Sequence, residues 1–198
     1  MPTCLFGLMP VVCVIQRQVV NNGGVEFSME TGTEVLKRTP NALDAIMRNL
    51  PEVWAVSNDG PGTWSPLQVV AHMVHLEDVD WLDRTRFILE ENELESFRPI
   101  DREAGFARFD GWTMNELLDR FAGARDANLV DLGTLVARGD LERRGRHPDF
   151  GSVTLSQLLA TWVVHDLNHL DQIVKTMAKQ YRGAVGPWRE YLPIIDAE

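Results

Sequence analysis

Five histidines carry most of the chemistry that this sequence can offer: His72, His75, His147, His165 and His169. His165 and His169 stand four apart in a stretch that reads as helix. At 100° per residue they differ by about 40° in direction and lie about 6 Å apart along the axis, so both rings reach one point. His72 lies beside Val69, Leu76 and Val79 on another helical stretch and offers a third ring. Three neutral imidazoles close one side of a divalent ion and leave positions open for water or substrate, an arrangement that suits catalysis better than a closed structural site. An i,i+4 histidine pair is also common on half-buried helix faces, and nothing in the spacing brings the two helices together. Spacing alone leaves both readings open.

Several polar residues near these rings need partners of their own. Asp166 falls within the apolar arc of its helix, between Leu159 and Trp162 by direction, where a carboxylate must be paired. One role is to accept a hydrogen bond from a metal-ligating histidine; the other is a bond to a neighbouring helix or across a dimer. Glu77, about 140° round the helix from His72, cannot share its ion but faces apolar neighbours with Val70 and Met73, which suits a buried hydrogen-bonding role. His147 and Arg146, with Arg143 and Arg144, precede the last helix and are candidates for a rim that recognises an anionic substrate. The same run also reads as charge balance around a turn made by Pro148 and Gly151. His75, about 60° from His72, reads as a solvated helix-face residue. Trp64, Trp81, Trp112 and Trp162 read as core or capping aromatics.

The elements that must position these residues are helices. Ser65-Pro66 opens a helix from Pro66 to about Glu91, and Thr113 with Glu116 opens a third to about Ala137. Thr154 opens a last helix to about Gln180, with Leu155, Leu158, Leu159, Trp162, Ile173 and Met177 inward. The first helix spans about Thr33 to Leu50, with a break or restart at Thr39-Pro40. Glu90 to Asp110 reads as an irregular acidic loop and Arg143 to Ser152 as a turn. No stretch alternates at period two long enough to propose a sheet, so the expected fold is an all-α four-helix bundle over residues 29–182. Residues 183–198 read as a C-terminal tail. Met1 to about Gly24, in the apolar leader 1–28, reads as non-native or mis-assigned, with translation starting near Val25 or Met29.

Composition narrows the function further. The 198 residues suggest one ordinary domain, and a net charge of −10 argues against general nucleic-acid binding. The leader is too short and too interrupted by Pro10 to span a bilayer, so no membrane partner is expected. The two cysteines, Cys4 and Cys13, both lie in that leader. This excludes a disulfide framework for the body and points to a cytoplasmic compartment. No P-loop, dinucleotide fingerprint, HExxH or G-x-S-x-G motif is present.

Two longer patterns then stand out. Trp64-Ser65-Pro66-Leu67-Gln68-Val69-Val70-Ala71-His72 resembles the W-[ST]-x-x-x-[VIL]-x-x-H signature of the DinB-like family. Arg144-Gly145-Arg146-His147-Pro148, Phe150-Gly151, Thr154 to Leu159 and His165-Asp166-Leu167-Asn168-His169-Leu170 are similar to its carboxy-terminal half. The likeness runs from about Thr33 to Lys179. It implies a four-helix bundle, often homodimeric, whose motif histidines, here His72, His165 and His169, hold a divalent metal. Zinc or nickel suits imidazole ligands best, with iron or manganese as alternatives. The resemblance also implies a small-molecule substrate, either for a hydrolase or for a transferase that uses a low-molecular-weight thiol such as mycothiol or bacillithiol. The competing expectation is a helical binding or stress-response module, metal-bound or metal-free, without turnover.

Overall fold

The computed structural model describes residues 26–91, 93, 95–137 and 141–197; the leader up to residue 25 lies outside them. Ser28 caps α1 (Met29–Met47), its hydroxyl accepting from the Thr31 N–H. The helix starts four residues before Thr33 and runs through Pro40 without a break. Proline has no N–H for the carbonyl four residues back. That carbonyl, on Leu36, instead accepts from Nη1 of Arg125 at 2.8 Å. A bond from a distant helix thus replaces the missing one, and α1 keeps Leu36, Thr39, Pro40, Leu43 and Met47 buried on one face.

After the short α2 (Glu52–Val56), Ser65 and Gln68 form a reciprocal capping box at the start of α3 (Pro66–Val79). The single helix expected to reach Glu91 divides at Asp80 (φ −119°, ψ −73°), and α4 (Trp81–Glu91) follows directly. This break lets Trp81 stack on Trp162, with ring centroids 5.5 Å apart and planes 7° from parallel. The expected irregular loop holds one short helix, α5 (Ala104–Arg108). Capping boxes at Thr113–Glu116 and Thr154–Gln157 open α6 (Met114–Val136) and α7 (Leu155–Lys179).

The expectation of no sheet is corrected by a small hairpin between α6 and α7. Strands β1 (Arg144–His147) and β2 (Gly151–Thr154) pair antiparallel, Gly145 opposite Val153, with Gly151 at φ 72° closing the turn. Four residues per strand are too few for an alternating pattern to be visible. The Phe97 N–H donates to the Arg146 carbonyl at 2.9 Å, tying the loop after α4 to this hairpin. In the segment after α7, Ile195 is buried in a 3-10 turn packed on that helix.

Helices α1, α3, α6 and α7 form the bundle: α3 packs on α6 and α7, and α1 on α6 and α7. None of the described helices is long and apolar enough to cross a membrane. At the centre of the bundle lies Arg125, fully buried. Its guanidinium donates to Asp166 at 2.6 and 3.0 Å, to Glu77 at 2.8 Å and to the Leu36 carbonyl. Asn128 Nδ2 and Trp162 Nε1 donate to Glu77 at 2.9 and 3.0 Å. Burial alone would favour a neutral guanidine, but the charges of Glu77 and Asp166 outweigh it and hold the Arg125 pKa above its ordinary value. One cation therefore joins all four long helices.

α5 lies against α3 next to His72, and Gly105 sets how closely. A Cβ there would come 2.7 Å from the Ala71 carbonyl oxygen and 3.0 Å from the His75 Cβ. Because the first obstacle is backbone, Gly105→Ala is expected to push α5 away and destabilise the chain by about 1–3 kcal/mol in a denaturant titration. A loss below about 0.5 kcal/mol would mean that α5 yields freely.

Candidate metal centre

His72 sits on α3, at the level of the Trp64 ring that precedes the helix; His165 and His169 lie one turn apart on α7. The packing of α3 on α7 brings the three rings together. His165 Nε2 lies 3.3 Å from Nε2 of His72 and 3.0 Å from Nε2 of His169. All three ligand atoms lie within 4.8 Å of one another. His72 and His169 are buried, at 3% and 6% exposure, and His165 is partly buried.

The proton inventory decides what this cluster wants. His72 Nδ1 lies 2.8 Å from the Arg102 carbonyl oxygen. A carbonyl only accepts, so Nδ1 carries the proton and Nε2 presents a lone pair. His169 Nδ1 meets Gln172 Oε1 at 2.8 Å, which leaves its Nε2 bare by the same logic. Two lone pairs thus face the third ring, whose Nε2 has at most one proton to give. His165 Nδ1 is buried without a hydrogen-bond partner. Burial also keeps the rings neutral, pushing the His72 pKa down to about 4, that of His165 to about 2, and that of His169 below its usual value. A protonated ring cannot relieve this convergence, whereas a divalent cation satisfies all three lone pairs. Nitrogens bound ~2.1 Å from a tetrahedral ion lie ~3.4 Å apart, close to the separations observed. The residues fit a divalent metal.

The cluster opens on a cavity of about 580 Å³. Trp64 and Trp81 wall it, with ring centroids 5.0 Å from His72 and 5.1 Å from His165 respectively. Arg102 and His147 stand at its rim. His147 Nδ1 accepts from the backbone N–H groups of Asp149 and Phe150 at 3.1 and 3.3 Å, which turns its Nε2–H outward as a donor. Arg146 is exposed on the hairpin and does not line this cavity, which corrects its assignment to the rim.

Asp166 and Glu77 bond Arg125 and not a ring nitrogen. The role of acceptor behind the ligands falls to the Arg102 carbonyl and Gln172, and the inter-helix bond is the role Asp166 fills. His75 is buried, not solvated, and stands outside the three-ring cluster.

Sequence reasoning missed Asp80. The residue is 5% exposed and lines the cavity. Oδ1 lies 2.6 Å from Arg84 Nε, but off the hydrogen-bonding direction, so neither atom completes a hydrogen bond. Burial raises its carboxyl pKa to about 6, with Arg84 opposing and Asp83 adding to the rise. The i,i+4 spacing to Arg84 was visible but reads as an ordinary helix-surface pair; only the break at Asp80 turns it inward.

The model of the DinB superfamily matches residues 36–173. YfiT from Bacillus subtilis, described as a probable metal-dependent hydrolase with an unusual four-helix bundle topology, superposes with a TM-score of 0.64 at 21% identity, over 82% of this chain and 93% of its own. TT2238, a four-helix bundle protein, superposes with a TM-score of 0.51 at 22% identity, over 75% of this chain and 100% of its own. No curated protein matches significantly. Both structural likenesses bear on the fold, whereas the family match contains all three clustered histidines. On that match, the chain belongs to the DinB superfamily and has the four-helix bundle architecture of its solved neighbours.

Proposed function

We propose that the chain is a metal-dependent enzyme acting on a small molecule, with hydrolysis as its reaction, and that His72, His165 and His169 hold the ion. The observation that carries this reading is the convergence of three neutral imidazoles, short of protons, on the wall of a cavity. YfiT, similar in fold, is described in the same functional terms. A bound divalent ion, zinc or nickel by ligand type, would supply Lewis acidity that lowers the pKa of water or a small thiol.

The chain's own residues do the rest. Trp64 and Trp81 exclude water from one side of the rings. The Arg102 carbonyl and Gln172 fix two ligand tautomers. Asp80 is the buried carboxylate available to take the proton released by the nucleophile. Arg84 and Asp83 of α4 act on its charge, and Arg102 from the loop, His147 and Asp149 from the hairpin and His165 from α7 line the same cavity.

Tag-free protein should carry one ion per chain, and a panel of small esters, amides and lactones, with and without small thiols, should show metal-dependent turnover. Thiol-dependent turnover alone would make the chain a transferase. A filled site with no turnover would assign it to a binding module. As a proton acceptor Asp80 works when ionised, so kcat/KM should rise with pH through about 6. Asp80→Asn should abolish that limb and lower kcat by about 100-fold or more; an unchanged pH profile removes Asp80 from the mechanism. The expected homodimer and cytoplasmic location belong to the same proposal. Val164, Leu167 and Val174 are exposed along the outer face of α7, and sedimentation velocity reports whether a second copy covers them.

A further inference from the structure

A second cavity, of about 600 Å³, shares Pro99 and Ile100 with the lining of the first. Its apolar lining is Val79, Phe87, Phe97, Pro99, Ile100 and Ala104. Arg84, Pro99 and Ile100 belong to both linings, so the two cavities adjoin at these three residues. The Arg84 guanidinium lies over the Phe97 ring at 5.2 Å, and the Phe97 backbone is bonded to the hairpin. The two chambers differ in kind. The histidine cavity presents imidazoles, Asp80 and Arg102, whereas the second is lined mainly by apolar surface, with Asp83, Arg84, Glu95, Arg98 and Asp101 also in its lining. Each has the size of a small-molecule pocket.

We infer that the substrate is amphipathic, with a polar reacting group at the three histidines and an aliphatic acyl arm running past Arg84, Pro99 and Ile100 into the adjoining second cavity. This rests on the hydrolase reading for its first half only. An acyl ester or amide fits both chambers. Its carbonyl sits where the polar groups are and its chain removes apolar surface of Phe87, Phe97 and Val79 from water. Water cleaves the acyl C–O or C–N bond, the alcohol or amine departs with a proton, and the carboxylate product still spans both sites. Arg84, which lines both chambers, provides the cation beside which that carboxylate rests.

The test is calorimetric titration of butanoate, octanoate and dodecanoate into the full chain, zinc-loaded and metal-free. Octanoate should bind about tenfold tighter than butanoate or more; full burial of each added methylene corresponds to about fourfold. Ala104→Phe and, independently, Val79→Phe fill the second cavity without touching the histidine cavity. Each should erase the chain-length gain while leaving butanoate affinity and zinc stoichiometry unchanged. Equal affinity for the three acids overturns the inference and leaves the metal reading intact. Conversely, a chain-length gain in protein that binds no zinc upholds the acyl cavity and removes the metal reading. A gain that survives both filling variants also overturns the inference, because the arm then lies elsewhere.

Discussion

Arg125→Met is expected to lower the stability of the chain by about 3–5 kcal/mol, the cost of leaving buried charge uncompensated. For a chain of this length that is on the order of 10 °C in thermal midpoint. The arginine is fully buried, and Glu77 and Asp166, at 4% and 1% exposure, have no water to turn to. Removing it also strips Leu36 of the donor that replaces the missing Pro40 N–H, so α1 loses its tie to the bundle at the same point. Glu77 sets the pH dependence. Burial already raises its pKa, and Arg125 is the main force opposing that rise. A carboxyl whose folded pKa lies above its unfolded value binds more protons when folded, so stability falls as pH rises through that window. The variant's deficit should therefore be larger at pH 8 than at pH 5. Adding Glu77→Gln and Asp166→Asn removes both stranded charges and should recover more than half of the loss. A deficit below about 1 kcal/mol at pH 8, or no recovery in the triple variant, would show that the guanidinium does not hold the helices together.

The same residue marks where reading the chain alone runs out. The caps at Ser65, Thr113 and Thr154 were legible because capping is local: a side chain bonds a backbone N–H three residues on. The inward faces of α7 followed from its period for the same reason. Pro40 was legible as a threat to α1 but not as harmless, since the bond that rescues it reaches the Leu36 carbonyl from a residue 89 positions further along. Asp166 and Glu77 were visible as carboxylates on apolar faces. Arg125 was their natural complement, lying one turn beyond Phe121 on a third apolar face, but it drew no notice beside the histidines. Three mismatched charges on three amphipathic helices are a pairing signal that can be found by listing buried-face charges together.

The candidate site divides in the same way. Two of its rings share a helix, so their convergence follows from helical geometry; the third depends on α3 meeting α7, which only the family resemblance supplied. Asp80 was out of reach because its buried place in the cavity lining lies at a helix break that no proline or glycine announces. Arg146 failed as a rim residue for the reason that makes hairpins hard to read. In a strand of four residues, a shift of one position moves a side chain to the opposite face.

His165→Ala should reduce metal affinity by more than about 100-fold, because losing a group that only orients a ligand already costs 10–100-fold. His165 is the middle ring, 3.3 and 3.0 Å from the other two Nε2 atoms, so its removal breaks both close contacts and not one. The effect on the metal-free fold should be far smaller. The lost ring leaves a void, but it also removes a buried Nδ1 that has no hydrogen-bond partner, and these two effects offset each other. Metal-free parent and variant should thus unfold within a few degrees of each other. The contrast appears on adding zinc. Free metal at a hundred times its Kd stabilises the parent by about 2.7 kcal/mol, and the variant should gain almost nothing at the same concentration. His75→Ala is the matched control, since His75 is a buried histidine of α3 one turn from His72 and outside the cluster. If both variants lose the zinc increment equally, the effect belongs to the packing of α3 on its neighbours and the three rings are not a metal site. If only the His165 variant loses it, the increment is coordination, because the two substitutions delete the same ring and differ only in whether it faces the cluster.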